Sequence, residues 1–100
     1  MIITNTTVLD MGTINQKDGK WTGKVTLTNQ SDKAIHNIRA TASCGCTKPI
    51  LASTIEAMSS EEMIVGFNPE GRSGTQLKTL TVVVPGYDDI KIKLQGNVVK

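Results

Sequence analysis

Apolar residues recur at every second position through most of this chain, and that period restricts the fold more than any other feature. In residues 20–29, Trp21, Gly23, Val25 and Leu27 alternate with Thr22, Lys24, Thr26 and Thr28. Side chains on a strand point alternately to opposite faces, so this pattern predicts a strand with one face buried and the other wet. Residues 90–98 repeat it, with Ile90, Ile92, Leu94, Gly96 and Val98 set against Lys91, Lys93, Gln95 and Asn97. Residues 62–67 place Met63, Val65 and Phe67 on one side, and residues 76–84 do the same with Leu80, Val82 and Val84. Residues 35–43 read as a strand with Ile38, Ala40 and Ala42 inward. Ile35 is out of phase, which predicts a bulge or a late strand start near His36 and Asn37. An opening strand is expected within residues 2–12. Polar turns separate the strands at residues 29–33, 68–74 and 85–89, the last two carrying both proline and glycine. Residues 53–63 are the one stretch that invites a helix, but Ser59-Ser60-Glu61-Glu62 reads better as a turn before a strand. Short, regularly spaced strands without helical alternation predict an all-β sandwich. With 100 residues, it forms a single domain over 1–100.

Charge and aromatic content narrow the functions open to such a sandwich. The chain is 38% hydrophobic with a formal charge of +2, too apolar and too nearly neutral for intrinsic disorder. Its lysines and arginines are scattered, and its three aromatics, Trp21, Phe67 and Tyr87, lie in three different segments. Nucleic-acid binding wants a basic stripe with stacking platforms, so that partner is not expected. No apolar run approaches a membrane span, and a membrane partner is not expected either. The N-terminal MIITNTTVLDMGTI lacks a basic start and an apolar run before a cleavage site. No signal peptide is therefore expected, and the setting predicted is a reducing one, where a stable disulfide is not expected and a close cysteine pair is more often metal-binding, catalytic or reduced.

Only two cysteines are present, in Ala42-Ser43-Cys44-Gly45-Cys46-Thr47-Lys48-Pro49. A structural zinc site takes four ligands. Cys44, Cys46 and the single histidine, His36, are the only metal candidates and leave such a site one ligand short. Redox dithiols usually have two intervening residues and a following helix that lowers the nucleophile's pKa. Here one residue intervenes, no helix follows, and Lys48 is the only nearby charge. The preferred reading is structural. Continued strand phase puts Cys44 on the buried face, Gly45 permits a sharp change of direction, and Pro49 removes a ladder donor. Cys44, Gly45, Cys46 and Pro49 are thus expected to form a corner where a strand rolls over the edge of the sandwich. No catalytic residues or cofactor-binding residues are proposed. Glu61 and Glu62 are adjacent and would point to opposite faces. Asp88 and Asp89 offer too few oxygens for calcium, and 71–74 lacks the Lys-Ser/Thr of a phosphate loop.

The order of motifs resembles a bacterial family of immunoglobulin-like domains of unknown function, related to the ASH (Hydin-like) and major-sperm-protein sandwiches. The matching residues are Gly12-Thr13-Ile14, Val25 to Asn29, Ala42 to Pro49, Met63 to Phe67, Lys78 to Val82 and Leu94 to Val98. Ala-Ser-Cys-Gly-Cys-Thr-x-Pro is the most specific of these blocks. An aromatic usually precedes the family's strand-end asparagine, where this chain has Val25 and Leu27. The resemblance implies an immunoglobulin-like antiparallel β-sandwich of about seven strands, and it implies no reaction.

A sandwich without a catalytic set acts through its edges, faces and loops. The function expected is a non-enzymatic structural or protein-interaction module. Its narrower form is an accessory, decoration- or cement-type component of a large assembly such as a bacteriophage capsid. The partners expected are proteins, among them capsid or other virion proteins or further copies of the chain, and the location expected is a virion or the cytoplasm of a bacterial host. The alternative is a thiol-based metal-binding or redox module centred on Cys44 and Cys46.

Overall fold

The computed structural model describes residues 2–100; Met1, the first residue of the expected domain, lies outside the described residues. Among the described residues eight strands run in chain order: β1 (Ile2–Thr4), β2 (Val8–Asn15), β3 (Trp21–Asn29), β4 (Arg39–Ala42), β5 (Thr47–Ile50), β6 (Ser60–Phe67), β7 (Gly74–Val83) and β8 (Ile90–Val99). They form two four-stranded sheets, ordered β1-β3-β6-β5 and β2-β8-β7-β4. The all-β immunoglobulin-like sandwich is what the chain adopts, with eight strands rather than seven and one parallel pair, β2 with β8.

The period-two residues form the core. Val25, Leu27, Met63, Val65 and Phe67 from one sheet meet Leu80, Val82, Ile92 and Leu94 from the other, all fully buried. Each such side chain contributes about 1.5–3 kcal/mol on burial, and together they hold the sheets face to face.

One local expectation needed correction. The opening stretch is not one strand. β1 pairs antiparallel with β3, whereas β2 crosses to the other sheet and pairs with β8. Thr4 and Thr6 side chains bond the backbone two residues on and turn the chain between them. β2 then carries a bulge between Asp10 and Thr13, where Gly12 sits at φ 65° and donates its N–H to Asp10 Oδ1 at 2.7 Å. At Ile35 the structure shows the second of the two expected outcomes. The strand starts late, at Arg39, because Asn37 adopts φ 59°. Ile35 instead makes an isolated antiparallel bridge to Ile55, and both it and Ile38 are buried.

Asn29 closes the end of β3. It is fully buried, and its amide nitrogen donates to the carbonyls of Lys33, Ile55 and Glu56 at 2.9, 3.0 and 3.2 Å. Its oxygen accepts from Ser31 N–H and Ser31 Oγ at 2.9 and 2.7 Å. A single side chain therefore binds two loops to the strand end.

Candidate functional site

Between β4 and β5 the chain passes from one sheet to the other through the turn Cys44-Gly45-Cys46-Thr47, closed by Thr47 N–H to Cys44 O at 3.3 Å. Gly45 is exposed and is not among the positive-φ glycines, so the turn does not draw on that freedom. Cys44 is half-buried rather than on the closed core face, and so is Cys46. The two are joined in a disulfide, with Cα atoms 5.3 Å apart, inside the span such a bridge covers. The expectation that no stable disulfide forms is thereby corrected. A turn holding residues two apart brings their side chains together, which is the proximity a bridge needs.

Pro49 sits at a position where its missing N–H costs no ladder bond. Asn68 N–H donates to Cys46 O at 2.9 Å, which makes Cys46/Asn68 a hydrogen-bonded pair and, by alternation, Lys48/Gly66 and Ile50/Ile64 as well. The nitrogens of Thr47 and Pro49 then face away from β6. Thr47 spends its N–H on the turn, and Pro49 has none.

His36 is not brought to the cysteines. It lies exposed before β4, with Nδ1 3.1 Å from Thr54 Oγ1, while the Cys44–Cys46 turn follows the other end of that strand. Among the described residues, no group of three or more His, Cys, Asp or Glu side chains is placed to hold a metal. No helix among them is long and apolar enough to cross a membrane.

The neighbour that does reach the disulfide comes from far along the chain. Arg72 Nη2 lies 3.6 Å from Cys44 Sγ across a sequence separation of 28. The loop fixes this arginine through its backbone. Arg72 N–H donates to Pro69 O at 3.0 Å, and Arg72 O accepts from Gln16 Nε2 at 2.7 Å. Cys44 Sγ also accepts from the backbone N–H of Cys46 at 3.1 Å. Cys46 Sγ lies 3.5 Å from Thr47 Oγ1, and since a bridged sulfur has no proton, the hydroxyl is the donor.

Beside the turn, the outer face of the β1-β3-β6-β5 sheet carries a groove of about 620 Å³. Gly66 forms its floor, in register with Thr22 on one side and Lys48 on the other. A β-carbon there would meet nothing nearer than 3.9 Å, so the missing side chain is open space above the sheet. Ile64 and the 67% exposed Ile50 make an apolar wall, paired across β5 and β6. Lys20, Lys48 and Arg72 line the groove with Glu70 as its one acid, and Cys46 reaches it whereas Cys44 does not. Sequence reasoning found the cysteines and Pro49 but missed Arg72, Gly66 and the Ile50–Ile64 pair. A glycine at an outward position in the middle of a strand was the available signal.

The chain belongs to the DUF1573 family of proteins of unknown function, whose model matches residues 2–98. None of the curated proteins matches it. Among solved structures it is similar to a protein of unknown function from Porphyromonas gingivalis W83, with a TM-score of 0.80 and 16% identity over 97% of this chain and 46% of that one. It thus spans about half of that protein's length. An ASH/PapD-like domain of human CEP192 matches at TM-score 0.74 and 8% identity, over 99% of this chain and 85% of that domain. The periplasmic chaperone SfaE matches at TM-score 0.68 and 9% identity, over 100% of this chain and 58% of the chaperone. At these identities the likeness shows the fold.

Proposed function

We propose that this domain is a protein-interaction module that docks an acidic polypeptide segment bearing an apolar side chain in the groove beside the Cys44–Cys46 turn. The observation that carries it is Ile50, 67% exposed on an edge strand and in register with Ile64. An isolated exposed isoleucine means little. This one adjoins a second apolar side chain and an open glycine floor, and three cations face a single acid around them. That arrangement favours a partner of opposite charge with an apolar residue to bury. The likeness to an ASH/PapD-like domain and to a chaperone supports a binding role by analogy only, because one fold hosts many functions.

The narrower form of the proposal is an accessory role in a large assembly such as a phage capsid, in a virion or a bacterial cytoplasm. None of the three related structures is described as a capsid protein, so this form draws only on the size and polar surface of the domain. Sedimentation of native protein from its source lysate tests both forms, with a Lys48→Glu, Ile50→Asp double variant run beside the wild type. Wild-type protein should travel with a faster species at a fixed ratio, and the variant should shift to the position of a free domain. The same run on purified protein separates self-association from a foreign partner. Wild-type protein recovered only as a free small species refutes the interaction reading.

A further inference from the structure

We propose that the Cys44–Cys46 pair is an electron-accepting disulfide for thiol substrates, attacked at Cys46 and discharging Cys44 as the leaving thiolate. This goes beyond the interaction reading and does not depend on it.

The two sulfurs of the bridge are inequivalent. Cys44 Sγ accepts from the Cys46 backbone N–H at 3.1 Å and lies 3.6 Å from the Arg72 guanidinium. Cys46 Sγ has only the neutral Thr47 hydroxyl, at 3.5 Å. Thiol–disulfide exchange runs faster when the departing sulfur is the better stabilised anion, and a neighbouring cation stabilises a thiolate. The arginine therefore marks Cys44 as the sulfur to leave. Both cysteines are half-buried, and Cys46, packed against the core on one side, is the one that also borders the groove. The groove that offers Cys46 is lined by Lys20 and Lys48 and bounded by Ile50 and Ile64, so an incoming thiolate meets positive charge as it approaches. A purely structural staple explains less. A bridge between residues two apart closes so short a loop that it removes little chain entropy from the unfolded state, and the turn already has its own closing hydrogen bond.

The chemistry balances with a dithiol as co-reactant. A substrate thiolate attacks Cys46 Sγ, a substrate–Cys46 mixed disulfide forms, and the electron pair of the Cys44–Cys46 bond leaves on Cys44 Sγ. The substrate's second thiolate then attacks its own sulfur in the mixed disulfide and displaces Cys46 as a thiolate. The substrate dithiol has lost two electrons and become a disulfide. Both cysteines have gained them, and each takes up one proton from solvent.

Glutathione, a monothiol that has no second thiolate of its own to release Cys46 from the mixed disulfide, is the probe. The oxidised protein is exposed to it, quenched in acid at intervals, alkylated and peptide-mapped. The expected adduct is glutathione on Cys46 with a free, alkylated Cys44, in about five-fold or greater excess over the reverse. Arg72→Gln should slow adduct formation roughly 3- to 10-fold, as loss of a half-screened charge beside the leaving sulfur requires. Arg72→Lys, which keeps the charge, should stay within about two-fold of wild type. Intrinsic fluorescence of the single Trp21 confirms that each variant is folded. Adduct divided equally or favouring Cys44, a bridge inert to millimolar glutathione, or a folded Arg72→Gln variant reacting at the wild-type rate would each overturn the proposal.

Discussion

Replacing Asn29 with alanine should destabilise the domain by about 3–4 kcal/mol, although the side chain touches no groove residue. One of its five hydrogen bonds, to Ile55 O, is fully buried, and the other four are half-buried. A net contribution of about 1.5 kcal/mol for the first and about 0.5 for each of the rest gives that range. A fall of this size is a large part of the roughly 5–15 kcal/mol that holds a domain together, and lowers Tm by about 4–8 °C for each kcal/mol. The aspartate variant sharpens the test. Asn29→Asp places a carboxylate where an amide donated to three carbonyls, so its folded-state pKa must lie above the ordinary value of about 3.9. Between the unfolded and folded values the native state binds more protons than the unfolded one. Stability of the variant therefore rises as pH falls through the folded pKa. Urea unfolding followed by Trp21 fluorescence measures both variants across pH. An alanine variant within 1 kcal/mol of wild type, or an aspartate variant that tracks wild type at every pH, would refute the reasoning that this side chain ties two loops to β3.

Two glycines in strands should respond in opposite ways to the same methyl group. Gly96→Ala puts a β-carbon 2.8 Å from Met11 Cβ and 3.0 Å from Gly12 O at the β2 bulge, and should cost about 1–3 kcal/mol in urea unfolding. Gly66→Ala, with nothing nearer than 3.9 Å, should change stability by less than about 0.5 kcal/mol. Pro49→Val restores an N–H on the open side of β5. It should alter stability by no more than about 1 kcal/mol while producing concentration-dependent association in sedimentation velocity.

What the alternation pattern could reveal was decided by how local each feature is. Val25, Leu27, Met63, Val65 and Phe67 are legible because strand geometry alone sends every second side chain inward. The division of residues 2–15 between two sheets is not, since Ile2 and Met11 are both buried and a period of two does not say against which sheet. Ile35 and Ile38 are three apart and both inside; only the left-handed turn at Asn37 reconciles them. The site divides along the same line. Cys44, Cys46 and Pro49 lie within six positions of one another and could be found by inspection. Arg72 is 28 residues from the sulfur it approaches, and a loop tip carries no period that would aim it. The disulfide is hidden for a different reason: it follows from the turn that holds Cys44 and Cys46 with their Cα atoms 5.3 Å apart, which an inferred compartment does not reveal.

A sandwich with open sheet edges invites strand addition, yet β5 presents a poor edge for it. Its first open-side nitrogen, Thr47, is spent on the turn to Cys44 O, and the next belongs to Pro49. A partner strand laid beside β5 would find acceptors but no donors over this stretch, and proline is one of the recognised means of blunting an edge. β4, the neighbouring edge of the other sheet, is only four residues long. What this side of the molecule does offer is the outer sheet face, where Gly66 leaves a floor, Ile50 and Ile64 a wall, and Cys46 borders the same groove. The same Pro49 that removes the edge as a binding surface leaves Lys48 and Ile50, on either side of it, projecting onto that face. On the proposed reading, recognition is therefore a matter of side chains in a groove rather than backbone in a ladder. A partner's affinity should respond to charge and apolar substitutions at Lys48 and Ile50 and be indifferent to its own capacity to form a strand.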